Sequence, residues 1–193
     1  MTEAPAQGFI RLLEVFDRLE IKYMVGGSTA SSVHGLVRMT RDIDIVINLL
    51  PDAIEPLVSE LKAEYYVDGE QIRSALEQHR SFNLIHYRSS YKFDIFPLTG
   101  DRFQQKQFER RRYEKSTMFT VEPLEFSVAS PEDVILSKLR WFRNGGEVST
   151  QQWNDVIGVI AVQREKLDAK YLGEWALYLG VEDLLAKALG EEA

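Results

Sequence analysis

The sequence predicts an α+β protein in which a mixed β-sheet flanked by helices is followed by a helical C-terminal part. Short apolar segments with the pattern of strands occur before residue 129 of the 193 residues. Helical periodicity opens the chain and dominates it again after residue 130. Neither an internal repeat nor a low-complexity linker divides the chain. We therefore expect an α/β domain at residues 1–129 and a helical region at residues 130–193 packed on it.

The predicted sheet and its helices come from the first part of the chain. Apolar residues at helical spacing predict the first helix, and Gly26-Gly27 ends the short strand that follows it. Pro51 opens another helix, because proline is well tolerated in a first turn. In chain order, the patterns predict a helix at 9–20, a strand at 23–25, a short helix from 28, a strand at 42–47, a helix from 51, a hairpin of strands at 82–87 and 91–96, a helix at 101–113, and a strand pair at 117–121 and 124–128.

The helical C-terminal part begins at a strong start signal. In Ser130-Pro131-Glu132-Asp133 a serine can cap the first turn, proline fits the first helical position, and acids favour the helix N-terminus. Asn144-Gly145-Gly146 ends this helix, and Ser149 or Thr150 begins the next one. Two further helices are predicted at 170–179 and 181–189.

Composition and charge exclude several classes of structure and function before any motif is considered. Apolar residues make up 45% of the chain, which excludes wholesale disorder. The net charge of −7 argues against nonspecific coating of nucleic acid, because such binding needs clustered Lys and Arg. The absence of cysteine excludes disulfides, thiolate metal sites and cysteine nucleophiles. No apolar segment has bilayer-spanning length and no signal-peptide pattern is present, so we expect a cytoplasmic protein with no membrane partner.

Three aspartates on predicted strands are the main candidates for chemistry. Residues two apart in a strand project from the same face, so Asp42 and Asp44 point one way and the isoleucines beside them point into a core. Two adjacent carboxylates repel each other unless a cation compensates them, and hard oxygen ligands suit Mg²⁺. Asp94 takes the equivalent face of a later strand. If the two strands are neighbours, about 4.8 Å apart, all three carboxylates can converge on a two-metal site.

A glycine turn lies upstream of the aspartates. Gly26-Gly27-Ser28 joins a predicted strand to a predicted helix, and backbone N–H groups at a helix N-terminus favour a phosphate group. Taken alone, a glycine turn of this kind commonly has no binding role, and an Asp-x-Asp pair is commonly two solvated acids that bind no metal. The specific feature is the ordered set: the glycine turn, then Arg38-x-Thr40-x-Asp42-x-Asp44, then a carboxylate on a later strand.

These motifs resemble the signature of the polymerase-β-like nucleotidyltransferase superfamily. The matching residues are Gly26-Gly27-Ser28-Thr29-Ala30, His34-Gly35 and Arg38-Met39-Thr40-Arg41-Asp42-Ile43-Asp44-Ile45. The chain is most similar to the small bacterial branch that contains AbiEii-type abortive-infection toxins, over at least residues 23–160. The resemblance implies a nucleotidyltransferase-like fold. It also implies Mg²⁺-dependent transfer of an NMP from an NTP to a hydroxyl acceptor of unidentified class (RNA, protein or small molecule).

The resemblance further implies two sets of site residues. The set that would hold the nucleoside triphosphate comprises Gly26, Gly27, Ser28, Arg38 and Thr40. The catalytic set, whose three aspartates would also bind the metal ions, comprises Asp42, Asp44, Asp94, Lys138 and Asp155. Within that set, Asp94 would act as base or orient the acceptor hydroxyl, and Lys138 would point toward the nucleotide.

Other interpretations stay open from the residues alone. One is a non-catalytic nucleotide-binding module, of a regulatory or toxin–antitoxin type, and another is a sugar-nucleotide glycosyltransferase. Lys138 lies beside an apolar helix face, so its aliphatic stem could cover that face while its amine stays in water. Helical periodicity alone predicts that Asp155 is an exposed acid. The basic segment from Arg102 to Lys115 is either a solvated helix with internal ion pairs or a local contact for RNA or another anionic acceptor.

Overall fold

The computed structural model describes residues 3–38, 40 and 42–191. The chain forms two compact units, Met1–Val25 with Thr40–Val128 and Gly26–Met39 with Ala129–Ala193. Gly26–Met39 belongs to the C-terminal unit, although it precedes residue 130 in the chain. The physical reason is that the helix of this segment packs on two helices of the C-terminal unit.

The described residues contain nine α-helices and seven β-strands. The helices are α1 (Glu3–Arg18), α2 (Gly27–His34), α3 (Ile54–Leu61), α4 (Gly69–Gln78), α5 (Arg102–Arg110), α6 (Pro131–Asn144), α7 (Thr150–Gln163), α8 (Ala169–Leu179) and α9 (Glu182–Glu191). The strands are β1 (Lys22–Val25), β2 (Asp42–Asn48), β3 (Tyr65–Tyr66), β4 (Phe82–His86), β5 (Lys92–Pro97), β6 (Arg112–Ser116) and β7 (Leu124–Val128). Short 3-10 helices lie at Pro51–Ala53 and Arg164–Lys166. None of the described helices is long and apolar enough to cross a bilayer.

The first unit is built on a seven-stranded mixed sheet with the strand order β3-β4-β5-β2-β1-β7-β6. β2 runs parallel to β5 and antiparallel to β1, and β4 and β5 form the predicted hairpin. In β2 the side chains of Ile43, Ile45 and Ile47 are fully buried, while the residues between them are partly exposed. The alternation gives this strand one core-facing side and one polar side, and the polar side carries the aspartates.

Aromatic packing fixes α1 on the apolar side of the sheet. Phe9 of α1 is fully buried, and its ring centroid lies 6.3 Å from Phe93 of β5 and 5.4 Å from Phe126 of β7. A third ring, Phe119, lies 4.7 Å from Phe9. A buried phenylalanine contributes about 1.5–3 kcal/mol through burial, so this cluster holds the helix to two separate strands.

The second unit is helical, and small residues allow its helices to approach closely. α2 packs on α6 and α7, and α6 also contacts α8. A Cβ placed on Gly35 would lie 2.8 Å from backbone atoms of Gly158 and Val159 in α7, a distance that real Cβ atoms do not reach. Gly35 therefore permits the contact between the end of α2 and α7. As predicted, Ser130 caps α6, accepting from the backbone N–H of Asp133 at 3.3 Å.

Two sequence expectations for the middle of the chain are wrong. The helix predicted at 101–113 ends at Arg110, and Arg112–Ser116 is an edge strand that pairs with β7. The strand predicted at 117–121 does not form, because β7 already has β6 as its antiparallel partner. Phe119 is instead buried from a loop, where its ring packs against Phe9. Its burial produced an apolar pattern that resembles a strand.

Candidate functional site

The polar side of β2 and β5 brings the three predicted aspartates together on one sheet face. Asp42 and Asp44 alternate with the buried isoleucines of β2, so their side chains share a face. Asp44 lies directly opposite Asp94 in the parallel pairing of β2 with β5. Register partners on adjacent strands point the same way, at a strand spacing of about 4.8 Å. The structure thus confirms that the two strands are neighbours.

A lysine stands among these carboxylates. Lys92 is the register partner of Asp42, and its Nζ lies 2.7 Å from Oδ2 of Asp94 and 3.9 Å from Oδ2 of Asp42. The hydrogen bond to Asp94, together with the nearby aspartate charges, raises the pKa of Lys92. Lys92 is therefore a cation held by the carboxylate face.

Asp42 is held by a short chain of hydrogen bonds. The hydroxyl of Thr40 donates to Asp42, with Oγ1 3.0 Å from both the backbone O and Oδ1. The Tyr91 hydroxyl in turn donates to the backbone O of Thr40 at 2.6 Å. Burial, and secondarily the charge of Asp42, raises the pKa of Tyr91, so its hydroxyl stays protonated and remains a donor. These contacts limit the orientations that the Asp42 carboxylate can adopt.

The chemistry of this donor set fits a hard divalent cation. Three carboxylates share a face, and the Lys92 ammonium demonstrates that the face holds positive charge. Oxygen ligands of this kind are those that Mg²⁺ prefers. Within residues 3–38, 40 and 42–191, however, no group of three or more His, Cys, Asp or Glu side chains is arranged to hold a metal ion. One carboxylate of the set, Asp94, is engaged by Lys92.

In the second unit, the glycine turn leads into α2. Gly27 is the first residue of this helix and has a φ of +53°, in the left-handed region that favours glycine. Ser28 follows it, and its hydroxyl accepts a hydrogen bond from Nη2 of Arg38. The first N–H groups of a helix lack intrahelical partners and carry partial positive charge. The glycine turn that the sequence predicts to bind phosphate therefore coincides with the start of α2.

Asp155 of α7 is the centre of a buried ion-pair network in the same unit. Its carboxylate accepts from Arg38 through Nε at 2.8 Å and Nη2 at 3.0 Å, and from Lys138 of α6 through Nζ at 2.7 Å. The side chains of Lys138 and Asp155 are only 6% and 7% exposed, whereas that of Arg38 is 28% exposed. Gln151 completes the arrangement, because with its amide oxygen turned toward Arg38 it accepts from Nη2 at 2.7 Å.

This network corrects two interpretations drawn from periodicity. Asp155 is buried and not an exposed acid, and the Lys138 amine is paired inside the protein and does not lie in water. Burial alone would raise the pKa of Asp155, but hydrogen bonds from Arg38 and then Lys138 outweigh it and lower that pKa. Asp155 is accordingly a charged anchor that fixes two cations.

The comparison with protein-family models decides the family. The model described as "Nucleotidyl transferase AbiEii toxin, Type IV TA system" matches residues 11–154. The chain belongs to the AbiEii nucleotidyltransferase toxin family. The matched range includes the glycine turn, the three aspartates and Lys138, and it ends one residue before Asp155. A comparison with curated protein sequences finds no match.

Solved structures confirm the nucleotidyltransferase-like α+β fold of this AbiEii-family chain. The solution structure of the antibiotic-resistance factor ANT(2'')-Ia has a TM-score of 0.56 at 11% identity and covers 100% of both chains. An antigenic nucleotidyltransferase-like protein from Paracoccidioides brasiliensis has a TM-score of 0.55 at 15% identity, over 96% of this chain and 92% of that one. The lincomycin-bound lincosamide antibiotic adenylyltransferase LnuA has a TM-score of 0.52 at 15% identity, over 82% and 96%.

The basic segment of the AbiEii-family chain is divided between α5 and β6, and several of its charges are satisfied internally. Lys106 pairs with Glu109 at 3.1 Å, and Lys115 lies 4.0 Å from Glu125 of β7. The guanidinium of Arg111 lies 4.3 Å from the ring centroid of Phe108. These contacts match the internal ion pairs that were the first of the two sequence interpretations.

Three residues that the sequence motifs did not identify belong to the carboxylate face of β2 and β5 or to the ion-pair network around Asp155. Lys92 lies two positions before Asp94 in the same strand, which is the signal that would have placed it on the same face. Asn83 of β4 is the register partner of Asp94 and adds an amide to that face. Gln151 lies four positions before Asp155, one helical turn away in α7.

Proposed function

We propose that this protein is a metal-dependent nucleotidyltransferase that transfers an NMP from an NTP to a hydroxyl acceptor. The observation that carries the proposal is the register pairing of Asp44 with Asp94, with Asp42 on the same face. Membership in the AbiEii nucleotidyltransferase family supports the same reaction class. Three carboxylates gathered on one face repel one another, and the single charge of Lys92 offsets only part of that repulsion, so a divalent cation would stabilise the face further.

In the proposed reaction the first unit supplies the carboxylates. Asp42, Asp44 and Asp94 would hold divalent cations such as Mg²⁺, as a two-metal site, and when bound these would stabilise the charge on the attacking and leaving oxygens. Asp94 accepts the proton of the acceptor hydroxyl or orients that hydroxyl for attack. Thr40 contributes by keeping the Asp42 carboxylate oriented through its hydrogen bond at 3.0 Å.

The second unit is proposed to bind the phosphates of the NTP. The N–H groups at Gly26, Gly27 and Ser28 are suited to phosphate oxygens, since they begin a helix. Arg38 is the more exposed of the two cations that pair with Asp155, so we propose that its guanidinium contacts the phosphates while it keeps its bonds to that carboxylate. In this scheme Lys138 and Asp155 are positioning residues, because they reach the ligand only through the guanidinium that they hold in place.

The transfer itself is a substitution at the α-phosphorus. The acceptor oxygen forms a bond to this phosphorus, the bond to the bridging oxygen of the leaving group breaks, and pyrophosphate departs with the released negative charge. The hydroxyl proton is taken up by a carboxylate or by solvent. The side chains named above would bind and orient the reacting groups and place positive charge where negative charge develops on the attacking and leaving oxygens, which is how such sites accelerate phosphate chemistry.

A transfer assay with one matched control tests the proposal. The protein is incubated with each α-labelled NTP and Mg²⁺, with added RNA, with no added acceptor, and with small hydroxyl compounds. Asp44→Asn is expected to reduce label transfer by about a hundredfold or more, while Asp52→Asn, at an exposed acid in the Pro51–Ala53 turn, retains it. Thermal melting verifies that both variants are folded. The proposal would be refuted if the protein neither transferred label to any acceptor in a metal-dependent reaction nor bound NTP.

A second candidate is a non-catalytic nucleotide-binding module of regulatory or toxin–antitoxin type. The engagement of Asp94 by Lys92 favours it, because a carboxylate face compensated by its own lysine has no need of a metal. Calorimetric titration with NTP separates the two candidates. Tight binding that is independent of Mg²⁺, with no turnover on any acceptor, supports the module, and Mg²⁺-dependent binding with pyrophosphate release supports the transferase.

The family relationship also suggests a cellular activity and an acceptor test. We propose that expression of this chain slows bacterial growth as its toxin family implies, and that Asp44→Asn relieves the effect. If RNA is the acceptor, a variant with charge reversal at Lys106 and Lys115 should transfer less label to RNA than wild type and as much label to small acceptors. Equal transfer to RNA by the variant and by wild type would exclude the segment from Arg102 to Lys115 as an RNA contact.

A further inference from the structure

Lys92 occupies the carboxylate face at the position where a bound cation would be expected. Its ammonium is 2.7 Å from Oδ2 of Asp94 and 3.9 Å from Oδ2 of Asp42, so it bridges two of the three acids. The Asp94 side chain is only 17% exposed, whereas the Lys92 side chain is 40% exposed. The carboxylate is thus fixed and partly shielded, while the lysine has solvent available if it leaves.

The electrostatics make this lysine a competitor of any second cation. The Lys92 ammonium lies 2.7 Å from Oδ2 of Asp94, so a divalent cation bound by this carboxylate would lie close to the ammonium. Two cations that share one carboxylate repel each other strongly at such separations. Coordination by Asp94 and the ion pair with Lys92 are therefore alternative states of the same carboxylate.

We propose that Lys92 is the resident counter-cation of the carboxylate face, and that a divalent cation engages Asp94 only after the ammonium has moved away. This inference rests on the proposed function in assigning the carboxylates to metal binding. The inference explains how Asp42, Asp44 and Asp94 can lie close together on two adjacent strands, because the charge of Lys92 offsets part of their repulsion. The ion pair between Lys92 and Asp94 would also lower the affinity of the face for a divalent cation.

Two consequences follow for the variant Lys92→Gln, which removes the charge and keeps a polar side chain of similar length. Its affinity for a divalent cation should rise, because no ion pair has to break before binding. An ion pair with one shielded partner corresponds to about a threefold to tenfold tightening of the dissociation constant. The protein stripped of metal should melt at a lower temperature than wild type, because the repulsion among the acids is no longer offset.

The experiment is a titration of EDTA-stripped protein with Mn²⁺ alone, followed by calorimetry and by thermal melting. Lys106→Gln is the matched control, because Lys106 is 43% exposed and pairs with a single acid, Glu109. We expect tighter Mn²⁺ binding and a larger Mn²⁺-induced rise in melting temperature for Lys92→Gln, and wild-type behaviour for Lys106→Gln. Equal or weaker binding by Lys92→Gln overturns the inference, because removal of a competitor cannot weaken the ligand it competes with.

A further variant, Asp44→Asn, keeps the two proposals apart. If wild type binds Mn²⁺ and Asp44→Asn loses it while Lys92→Gln is unchanged, the metal site stands and the role of Lys92 is refuted. If only Lys92→Gln binds Mn²⁺, both proposals are supported, because the competitor alone then prevents binding in wild type. If none of the proteins binds Mn²⁺, the assignment of the carboxylates to metal fails and the inference fails with it.

Discussion

Asp155→Asn is the substitution with the largest expected effect on the stability of the second unit. The carboxylate neutralises Lys138, whose side chain is 6% exposed, and holds Arg38 through two hydrogen bonds. The amide of asparagine has nearly the same shape, so the change removes charge without creating a cavity. The Lys138 ammonium is left buried without its counter-ion.

The magnitude follows from the exposure of the two cations. Loss of one partner of a buried ion pair costs about 3–5 kcal/mol, because the remaining charge is uncompensated. The Arg38 interaction adds less, about 1 kcal/mol or below, since its side chain is 28% exposed and keeps water. We expect the free energy of unfolding to fall by about 3–5 kcal/mol. In a chain of this size that corresponds to a melting temperature lower by about 10 °C.

Urea unfolding followed by circular dichroism measures the loss, with two comparison variants. Asp183→Asn is the surface control, because Asp183 pairs with Arg143 but is 70% exposed, and it should cost far less stability than Asp155→Asn. Adding Lys138→Met to Asp155→Asn removes the unpaired ammonium and should restore part of the lost stability. A cost below about 1 kcal/mol for Asp155→Asn, or a double variant less stable than the single one, would refute the reasoning.

The acid dependence of stability gives the same network a second readout. The folded-state pKa of Asp155 is lowered, since the hydrogen bonds from Arg38 and Lys138 outweigh the opposing effect of burial. A carboxyl whose pKa is lower in the folded state adds stability that is fully present above its unfolded value of about 3.9 and is lost as the pH falls through the folded value. Asp155→Asn should therefore unfold with a shallower dependence on pH below about 4 than wild type.

The remaining predictions concern other parts of the fold. Burial lowers the pKa of His86 from 6.5, so wild-type stability should decrease as the pH falls below about 6.5, and His86→Asn should flatten urea midpoints measured from pH 8 to 5.5. Gly35→Ala would place a Cβ 2.8 Å from the backbone of α7 and should cost about 1–3 kcal/mol in thermal melts. Gly173→Ala, in α8 with nothing within 4 Å of the added Cβ, should instead stabilise by about 0.5–1 kcal/mol. Thr40→Val removes the hydroxyl that donates to Asp42 and should weaken Mn²⁺ binding by about tenfold, and an unchanged dissociation constant would contradict its orienting role.

Local patterns predicted most elements because their causes are local. Strict alternation in β2 reflects one buried and one polar side, and the capping serine and proline of α6 mark its first turn whatever surrounds them. Strand pairing is different, because it depends on contacts far apart in the chain. The burial of Phe119 against Phe9 in α1 made a loop resemble a strand, and nothing local in Arg112–Ser116 indicated that this charged segment pairs with β7.

The candidate site divides in the same way. The period of two residues was sufficient to place Asp42, Asp44 and Asp94 on polar strand faces, and the structure adds only that the strands adjoin. Asp155 could not be predicted as a buried anchor, because one of the residues that neutralises it, Arg38, lies 117 positions away in the chain. Helical periodicity describes which face of α7 is apolar, but it carries no information about a cation arriving from a distant segment.

The position of a radioactive label in the NTP distinguishes nucleotidyl transfer from phosphoryl transfer and from hydrolysis. Parallel reactions with Mg²⁺ use one NTP labelled at the α-phosphate and the same NTP labelled at the γ-phosphate. We predict that α-label becomes attached to an acceptor while γ-label is recovered in pyrophosphate, and that Asp44→Asn gives neither product. Recovery of γ-label as inorganic phosphate, or its attachment to the acceptor, would contradict nucleotidyl transfer.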